Sequence, residues 1–370
     1  MNQNTVWVPF NIMQDFMTNV FKGVGVPEED AKICADVLIT ADKLGIDSHG
    51  ISRLKTIYYD RIKDKIQNPI TNIEILRDGP TTAVIDGHNG MGHVISHQAM
   101  EMAINKAKNY GLGMTVVRNS NHYGIAGYYL LMAIKEGMIG ISGTNARPSI
   151  APTFGVENML GTNPLSFGMP TDEPFPFLLD CATSISQRGK IEVYKRYNQD
   201  VPSGWVIDHE GNSLTDSDQI LKDLITGNAA LTPLGGMGED FGGYKGYGYA
   251  TVVEILSASL QGGAFLKALT GYDENGNKQP YKLGHFFIAI NIESFTKLSE
   301  FKKTTGDILR ALRNSKKAPG HDRIYTAGEK EYLTWLDRKD KGVPVNESLQ
   351  KEILQMKKEL DLIQYQFPFE

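Results

Sequence analysis

Two short segments of the sequence combine histidine with residues that bind anions. Residues 47–53 read Asp-Ser-His-Gly-Ile-Ser-Arg, and Asp47 and Ser48 are residue types that cap a helix. A helix beginning there would carry His49 and Arg53 on one face, four residues apart. His49 can exchange a proton, and Arg53 can grip a carboxylate through two parallel hydrogen bonds near the helix N-terminus. The segment predicts an oxyacid site, although by itself it also fits an N-cap with a surface histidine and arginine.

The second segment is residues 118–124, Arg-Asn-Ser-Asn-His-Tyr-Gly, which follows a predicted strand ending at Val117. Polar loops at strand ends are where α/β proteins place catalytic side chains. His122 is flanked by asparagines that can hold one tautomer of its ring, and Asn121 is a candidate substrate ligand. A structural loop histidine is the alternative interpretation.

Glycine-flanked polar residues at other strand ends are candidates for binding a cofactor. Residues 143–148 and 161–165 each contain a Thr-Asn pair beside glycine, although turn chemistry explains these residue types almost as well. Arg147 stands out as a cation among neutral turn formers, and we interpret it as a second carboxylate clamp. Residues 179–184 and the glycine-flanked Lys245 are typical of diphosphate binding without a Rossmann glycine motif. The predicted cofactor ligands from these segments are Thr144, Asn145, Thr162, Asn163, Asp180, Cys181, Ala182 and Lys245.

The motifs that are absent narrow the class of protein. The sequence has no G-x-G-x-x-G, G-x-x-x-x-G-K-[ST], H-E-x-x-H or G-x-S-x-G motif, which disfavours a standard Rossmann enzyme, a P-loop ATPase, a zincin and an α/β-hydrolase. His93 and His97 lie four residues apart on a predicted helix, but no third ligand is near them in sequence. We therefore predict no metal site.

The composition is that of an ordinary globular protein. The chain has 370 residues, with 38 Lys and Arg against 43 Asp and Glu, for a net charge of −5. A length near 150 residues per domain predicts roughly two to three domains or one large α/β unit. Because acidic residues outnumber basic ones, the composition does not predict a broad basic surface that would bind nucleic acid or an anionic membrane. Two cysteines and an N-terminus without a signal-like pattern predict a cytoplasmic protein.

The elements that must position these residues alternate between strand and helix in the middle of the chain. We predict strands at 82–86, 113–117, 138–142, 175–180 and 285–292, and helices at 93–110, 126–136, 245–261 and 299–314. Residues 196–243 are predicted to be mainly loops over a site. The expected fold is α/β, with a central mixed sheet and helices from both chain ends.

Five segments in the same order resemble the type-2 malate/L-lactate dehydrogenase family, whose relatives include sulfolactate and ureidoglycolate dehydrogenases and cyclic imino-acid reductases. They are 47–50 with Arg53, 119–124, 161–164, 180–184 and 242–246. The resemblance implies a homodimeric oxidoreductase that uses NAD or NADP on a non-Rossmann sheet. It implies His49 and His122 as proton-transfer candidates, with Ser48 and Arg53 beside the substrate carboxylate. It also implies cofactor contacts from residues 319–322, with Gly320 and His321 as the candidates.

These observations together predict a dehydrogenase that interconverts a small 2-hydroxyacid and its 2-ketoacid. Arg147 favours malate or sulfolactate over lactate, because malate carries a second carboxylate. The sequence also fits sulfolactate, lactate or ureidoglycolate as substrate, reduction of a cyclic imino acid, or a non-enzymatic nucleotide or oxyacid sensor. We expect a helix-rich substrate and dimerisation domain from residues 1–125 and 295–370, and a cofactor-binding sheet domain from residues 126–294.

Overall fold

The computed structural model describes residues 5–370. Within them the chain forms both helices and strands throughout its length. In chain order the strands are β1 (Val6–Val8), β2 (Glu74–Asp78), β3 (Thr82–Asp86), β4 (Leu112–Ser120), β5 (Met138–Thr144), β6 (Leu165–Met169), β7 (Phe177–Cys181), β8 (Val206–Asp208), β9 (Ser213–Leu214), β10 (Ala229–Leu231), β11 (Leu283–Asn291) and β12 (Val343–Val345).

The α-helices surround these strands. They are α1 (Phe10–Gly23), α2 (Glu28–Lys43), α3 (Asp60–Lys63), α4 (Gly92–Tyr110), α5 (Ala126–Lys135), α6 (Arg188–Arg196), α7 (Ser217–Thr226), α8 (Gly243–Ala258), α9 (Leu298–Arg313), α10 (Glu329–Arg338) and α11 (Glu347–Glu359). The four helices predicted at 93–110, 126–136, 245–261 and 299–314 are confirmed to within three residues at each end.

A seven-stranded mixed sheet is the centre of the fold, with strand order β2-β3-β4-β11-β5-β6-β7. Its adjacent strands run antiparallel except for the parallel pair β3 and β4. Strand β11 is an almost continuous apolar run because both of its faces are covered. Phe287 packs with residues of α4 and α5, whereas the adjacent Phe286 packs with Val253 of α8. The predicted mixed α/β fold with a central sheet is confirmed.

Both ends of the chain meet in one helical layer. Strand β1 pairs antiparallel with β12, with Val6 opposite Val345. Phe16 of α1 and Ile353 of α11 are buried in the same apolar cluster, and Phe16 makes an edge-on ring contact with Phe367. The expectation that helices from the two ends pack together is confirmed.

A smaller three-stranded sheet occupies a segment that was predicted as loops. Strands β10, β8 and β9 pair in that order, and α7 covers their apolar residues. The prediction of loops for residues 196–243 is therefore wrong. These strands have three residues or fewer, so their sequence shows no periodicity. The start of α7 does have a recognisable residue type: Asp216 caps the helix by accepting from the amides of Asp218 and Gln219, both at 2.9 Å.

The domain boundaries stay a prediction. The central sheet draws β2 to β4 from before residue 125 and its other strands from after it. In the described part of the chain, no helix has the length and apolar character needed to span a membrane.

Candidate active site

One cleft of about 280 Å³ brings together the two predicted histidine segments. Its lining includes His49, Arg53 and His122, together with residues from the small-sheet side of the molecule. That second wall contributes Arg147, Ser149, Asn158, Thr162 and the start of helix α6, including Arg188. Segments far apart in sequence thus face one another across a space the size of a small organic acid.

The loop that carries His49 is not the helix N-terminus that the sequence predicts. Ile51–Arg53 form a 3₁₀ turn and Leu54–Tyr59 a π-helical segment, so His49 precedes both. The predicted cap at Asp47 and Ser48 is wrong, because the buried Asp42 of α2 accepts the Ile51 amide at 2.9 Å instead. A Cβ on Gly50 would overlap that Asp42 carboxylate, so only glycine lets the loop lie this close to α2.

The two histidines stack against each other. Their ring centroids are 5.6 Å apart and the rings are inclined by 19°. The Ser48 hydroxyl lies 2.9 Å from Nδ1 of His49. Burial, with a smaller contribution from the Arg53 cation, lowers the pKa of His49 to about 4. His49 is therefore neutral at physiological pH and able to accept a proton.

His122 is held from behind by two groups on its Nδ1 atom. The Tyr58 hydroxyl lies 2.5 Å from Nδ1, and the Gly124 amide donates to the same atom at 3.3 Å. Burial, followed by the nearby His49 and His93 rings, lowers the pKa of His122 well below its ordinary value. Both cleft histidines are thus uncharged bases in the free protein.

Two arginines of the cleft have no carboxylate partner among residues 5–370. Arg53 donates its Nε–H to the Ser48 carbonyl, which leaves the terminal nitrogens of its guanidinium for a ligand. Arg147 is exposed on the opposite wall. A third arginine, Arg188, pairs with Glu192 at 3.1 Å on the same helix. The cleft therefore presents positive charge to whatever enters it, which suits an anionic substrate.

The other predicted substrate ligand, Asn121, is buried behind the cleft. Its amide donates at 2.9 Å to both Asn89 and the Gly90 carbonyl, and its Oδ1 has no partner among the described residues. Its contact with substrate stays a prediction.

Three predicted cofactor ligands use their side chains within the protein. Thr144 lies 2.7 Å from Nδ1 of His285 and also donates to the Gly284 carbonyl. Asn145 accepts the Gly284 amide at 2.8 Å. Asn163 accepts the Ala146 amide and donates to the buried Glu254 at 2.8 Å. These side chains brace the loops, so a ligand would meet their backbone.

The next segments predicted to bind a cofactor lie side by side, and Thr162 connects them to the cleft. Thr162, on the cleft wall, accepts the Thr183 amide at 3.0 Å, and Thr183 in turn accepts the Leu234 amide at 2.8 Å. Asp180 is turned inwards, where it accepts from the Gly127 amide and the Ser166 hydroxyl. Cys181 is exposed and Ala182 is half-buried on the following turn. The structure thus brings Thr162, Cys181 and Ala182 to one surface.

A glycine-rich loop leads from that surface to the start of α8. Gly235 and Gly242 have positive φ angles, and a Cβ on Gly246 would overlap the Leu234 backbone. Lys245 stands exposed in the first turn, 5.6 Å from the Tyr244 ring centre, with no carboxylate partner among the described residues. A lysine in the first turn of a helix is a donor that fits a diphosphate.

Gly320 and His321 lie apart from these groups in the hydrogen-bond network. Both are exposed in the loop between α9 and α10, and no hydrogen bond joins them to the cleft within the described chain. The end of that loop packs on β7, where the Ala327 carbonyl accepts the Leu178 amide at 3.4 Å. Their cofactor contact stays a prediction.

Across residues 5–370, no three His, Cys, Asp or Glu side chains are grouped so that they could hold a metal ion.

Sequence reasoning missed Tyr58 and Arg188. Tyr58 reaches His122 because the π-helical segment turns it towards the cleft, and no local pattern signals such a turn. Arg188 lies at the start of α6, a helix that the sequence analysis did not identify. The only feature of the sequence that could have indicated Arg188 is its position just before residues 190–196, which are compatible with a helix.

Comparison with known proteins places the whole chain in one family. The model of the Malate/L-lactate dehydrogenase family matches residues 8–354. A malate dehydrogenase of Pyrococcus horikoshii is 45% identical over 357 residues, which are 96% of each chain. An L-sulfolactate dehydrogenase of Methanocaldococcus jannaschii is 40% identical, covering 93% of this chain and 94% of that protein.

A solved structure agrees with this placement. The crystal structure of malate dehydrogenase from Entamoeba histolytica superposes with a TM-score of 0.93 at 48% identity, covering 98% of this chain and 99% of that one. The predicted family resemblance is confirmed, and with it the assignment as a dehydrogenase that acts on a CH–OH group. The chain belongs to the malate/L-lactate dehydrogenase family.

Proposed function

We propose that this protein is an NAD(P)-dependent malate dehydrogenase, which interconverts malate and oxaloacetate in the cleft between His49 and Arg147. The observation that carries the proposal is the cleft itself: two stacked neutral histidines with two arginines that no carboxylate of residues 5–370 neutralises. Oxidation of a 2-hydroxyacid needs a base for the hydroxyl proton and a cation for the carboxylate. The similarity to malate dehydrogenases supports the same substrate.

The two arginines suit a dicarboxylate. Arg53 lies on the turn after His49, so a carboxylate held by its terminal nitrogens places the neighbouring hydroxyl carbon beside the histidines. Arg147 lines the other wall, where the second carboxylate of malate would be bound. Holding the substrate at both ends orients the reacting carbon and removes most of the entropy barrier to reaction.

His49 has the contacts expected of the residue that exchanges the substrate hydroxyl proton. It is neutral because its pKa is lowered to about 4, and the Ser48 hydroxyl at Nδ1 orients its ring. In malate oxidation the O–H bond breaks and its proton passes to the ring. In oxaloacetate reduction the proton returns to the new hydroxyl oxygen. His122, stacked beside it, orients the substrate oxygen.

The remaining reactant is the hydride on the same carbon. A bound nicotinamide cofactor supplies this chemistry, accepting the hydride during oxidation and returning it during reduction. We assign its diphosphate to Lys245 and the first turn of α8, and its remaining contacts to Thr162 and residues 180–182. The backbone around Thr144, Asn145 and Asn163 and the loop at Gly320 and His321 complete the proposed cofactor ligands.

We also propose that the protein is a homodimer that works in the cytoplasm. Helix α8 is apolar on its outward face as well as its inward one: Tyr249, Val252 and Ile255 are each about half exposed, with Phe265 beside them. An exposed apolar surface of this kind is typical of a protein interface. A second copy of the chain is the expected occupant, and light scattering on the purified protein tests it.

The proposed activity is tested by following the absorbance of NADH and NADPH separately after adding oxaloacetate. Pyruvate, glyoxylate, sulfopyruvate and a cyclic imino acid are assayed in parallel. Rapid oxidation with oxaloacetate supports the proposal and identifies the preferred cofactor. Faster turnover with sulfopyruvate would move the assignment to sulfolactate. Absence of turnover on every ketoacid, with cofactor binding intact, would favour imine reduction or a sensor.

A further inference from the structure

Tyr58 has no place in the proposed proton transfer, yet it makes the shortest contact to a cleft histidine. It lies on the π-helical segment, fully buried, with its hydroxyl 2.5 Å from Nδ1 of His122. Burial raises the pKa of Tyr58 well above its ordinary value, so its hydroxyl stays protonated. A protonated phenol has one hydrogen to donate, and the nearest acceptor is that nitrogen.

The Gly124 amide decides which atom of this pair is the donor. An amide N–H can only donate, and it donates to Nδ1 of His122 at 3.3 Å. Because Nδ1 already accepts from that amide, only the phenol can supply the hydrogen in its own contact with Nδ1. Nδ1 therefore accepts two hydrogen bonds and carries no proton. A neutral imidazole has one N–H, so the proton of His122 lies on Nε2.

We propose that Tyr58 is a positioning residue, which together with the Gly124 amide holds His122 as the Nε2–H tautomer and makes it a hydrogen-bond donor to the substrate oxygen. The inference rests on the proposed function for the identity of that substrate. Nε2 has no partner among the described residues, and His122 lines the cleft. In malate oxidation Nε2 cannot take up the hydroxyl proton because it already carries one. The proton therefore passes to His49.

The groups packed around His122 also disfavour a second proton on its ring. His49 stacks on it, His93 lies behind Tyr58, and Arg53 and His285 approach from the other elements; any positive charge on these groups disfavours protonation of His122. A second proton on the ring would also displace the Gly124 amide from Nδ1. These groups keep the ring neutral, and the two contacts at Nδ1 select its tautomer.

The tautomer is tested directly by NMR on the full-length protein labelled with ¹⁵N-histidine, at pH 7.5 and without substrate. Two-bond couplings between ring nitrogens and carbon-bound protons show which nitrogen is protonated, and His122→Asn assigns the signal. A proton on Nε2 of His122 supports the proposal, and a proton on Nδ1 overturns it. This measurement needs no turnover, so it stands even if the chain fails to reduce oxaloacetate, an outcome that would overturn only the proposed function.

The role of the hydroxyl is tested by Tyr58→Phe, which removes one oxygen atom. We expect kcat for oxaloacetate to fall about tenfold, the value of one buried hydrogen bond, with KM and the cofactor Kd within about twofold of wild type. The pH profile of His122 protonation, followed in the ¹⁵N spectra, moves to higher pH, because His122 loses a donor that favours its neutral form. Tyr129→Phe is the control, since its buried hydroxyl bonds the Tyr123 carbonyl and not His122. Wild-type kcat and pH profile in Tyr58→Phe would overturn the proposal.

Discussion

Arg147 is exposed in the cleft, and no carboxylate of the described chain pairs with it. We expect Arg147→Gln to lower kcat/KM for malate by about ten- to a hundredfold, the value of a charged hydrogen bond, while lactate turnover changes little. Steady-state kinetics on both substrates measures the difference. Arg196→Gln, at the exposed end of α6 and outside the cleft lining, is the matched control. Equal losses on malate and lactate would contradict the proposed clamp.

His49 gives the activity a characteristic pH dependence. Its pKa is lowered to about 4, and the neutral ring is the form that accepts a proton. Lowering the pKa therefore extends the active form towards acid: kcat/KM for malate oxidation should stay level from pH 8 to about pH 5 and fall only near pH 4. Initial rates in overlapping buffers, with circular dichroism to confirm that the protein stays folded, test this. A midpoint near that of a free histidine, about 6.5, would contradict a base whose pKa is lowered by burial.

Individual residues differ in how well the sequence predicts them. His49 and Arg53 lie within seven residues, and a short polar loop marks His122, so local patterns were sufficient to select them. Asn145 and Asn163 were selected by the same logic, but their side chains turn inwards to hold loops. Whether a polar side chain at a strand end faces a ligand or the protein depends on contacts with distant segments, which spacing does not reveal.

At the level of the element, the close approach of the loop between α2 and the π-helical segment to α2 requires glycine at position 50. Its backbone lies against the buried Asp42, whose carboxylate accepts the Ile51 amide. We expect Gly50→Ala to lower the free energy of unfolding by about 1–3 kcal/mol, because an added methyl group displaces that carboxylate. Activity falls with it, since His49 and Arg53 flank the displaced backbone.

Urea denaturation and malate turnover measure these two effects. Gly189→Ala is the control for stability, because a Cβ there meets no atom within 4 Å and alanine favours the helical conformation of the first turn of α6. Unchanged stability in Gly50→Ala would mean that the loop moves away from α2 without penalty.

The helices that the sequence analysis identified are long, and each carries apolar residues over its whole length. Helices α4, α5, α8 and α9 carry long apolar patterns, and their ends were located closely. Strand β2 was missed because it lies at the sheet edge with four of its five residues exposed, so it lacks the apolar alternation of a buried strand. The small sheet was missed because its strands are too short for any period to show.

At the level of the whole molecule, buried histidines make stability depend on pH. His93 is fully buried, neither ring nitrogen has a partner among the described residues, and burial lowers its pKa to about 3. Between pH 3 and about 6.5 the unfolded chain binds a proton at this site and the folded protein does not. Stability therefore falls as the pH falls through that range, by up to about 1.4 kcal/mol per pH unit for one such group.

The variant His93→Phe tests this contribution. We expect the urea midpoint to decrease less between pH 7.5 and pH 5 than in the wild type, since phenylalanine cannot bind a proton. The measurement at pH 7.5 separates the change in packing from the change in ionisation. An identical pH dependence in both proteins would show that His93 is protonated in the folded state.

The order of the central strands also bears on how the protein is made. Strand β11 lies between β4 and β5, which precede it in the chain by more than a hundred residues. While a ribosome is still synthesising the chain, β4 and β5 are both available and each has an edge without its neighbour. Unpaired edges invite association with other chains, so a nascent or prematurely terminated chain that lacks β11 is exposed to aggregation. The sheet can close only after residue 291 has left the ribosome, which makes the last quarter of the chain essential to the fold of the first half.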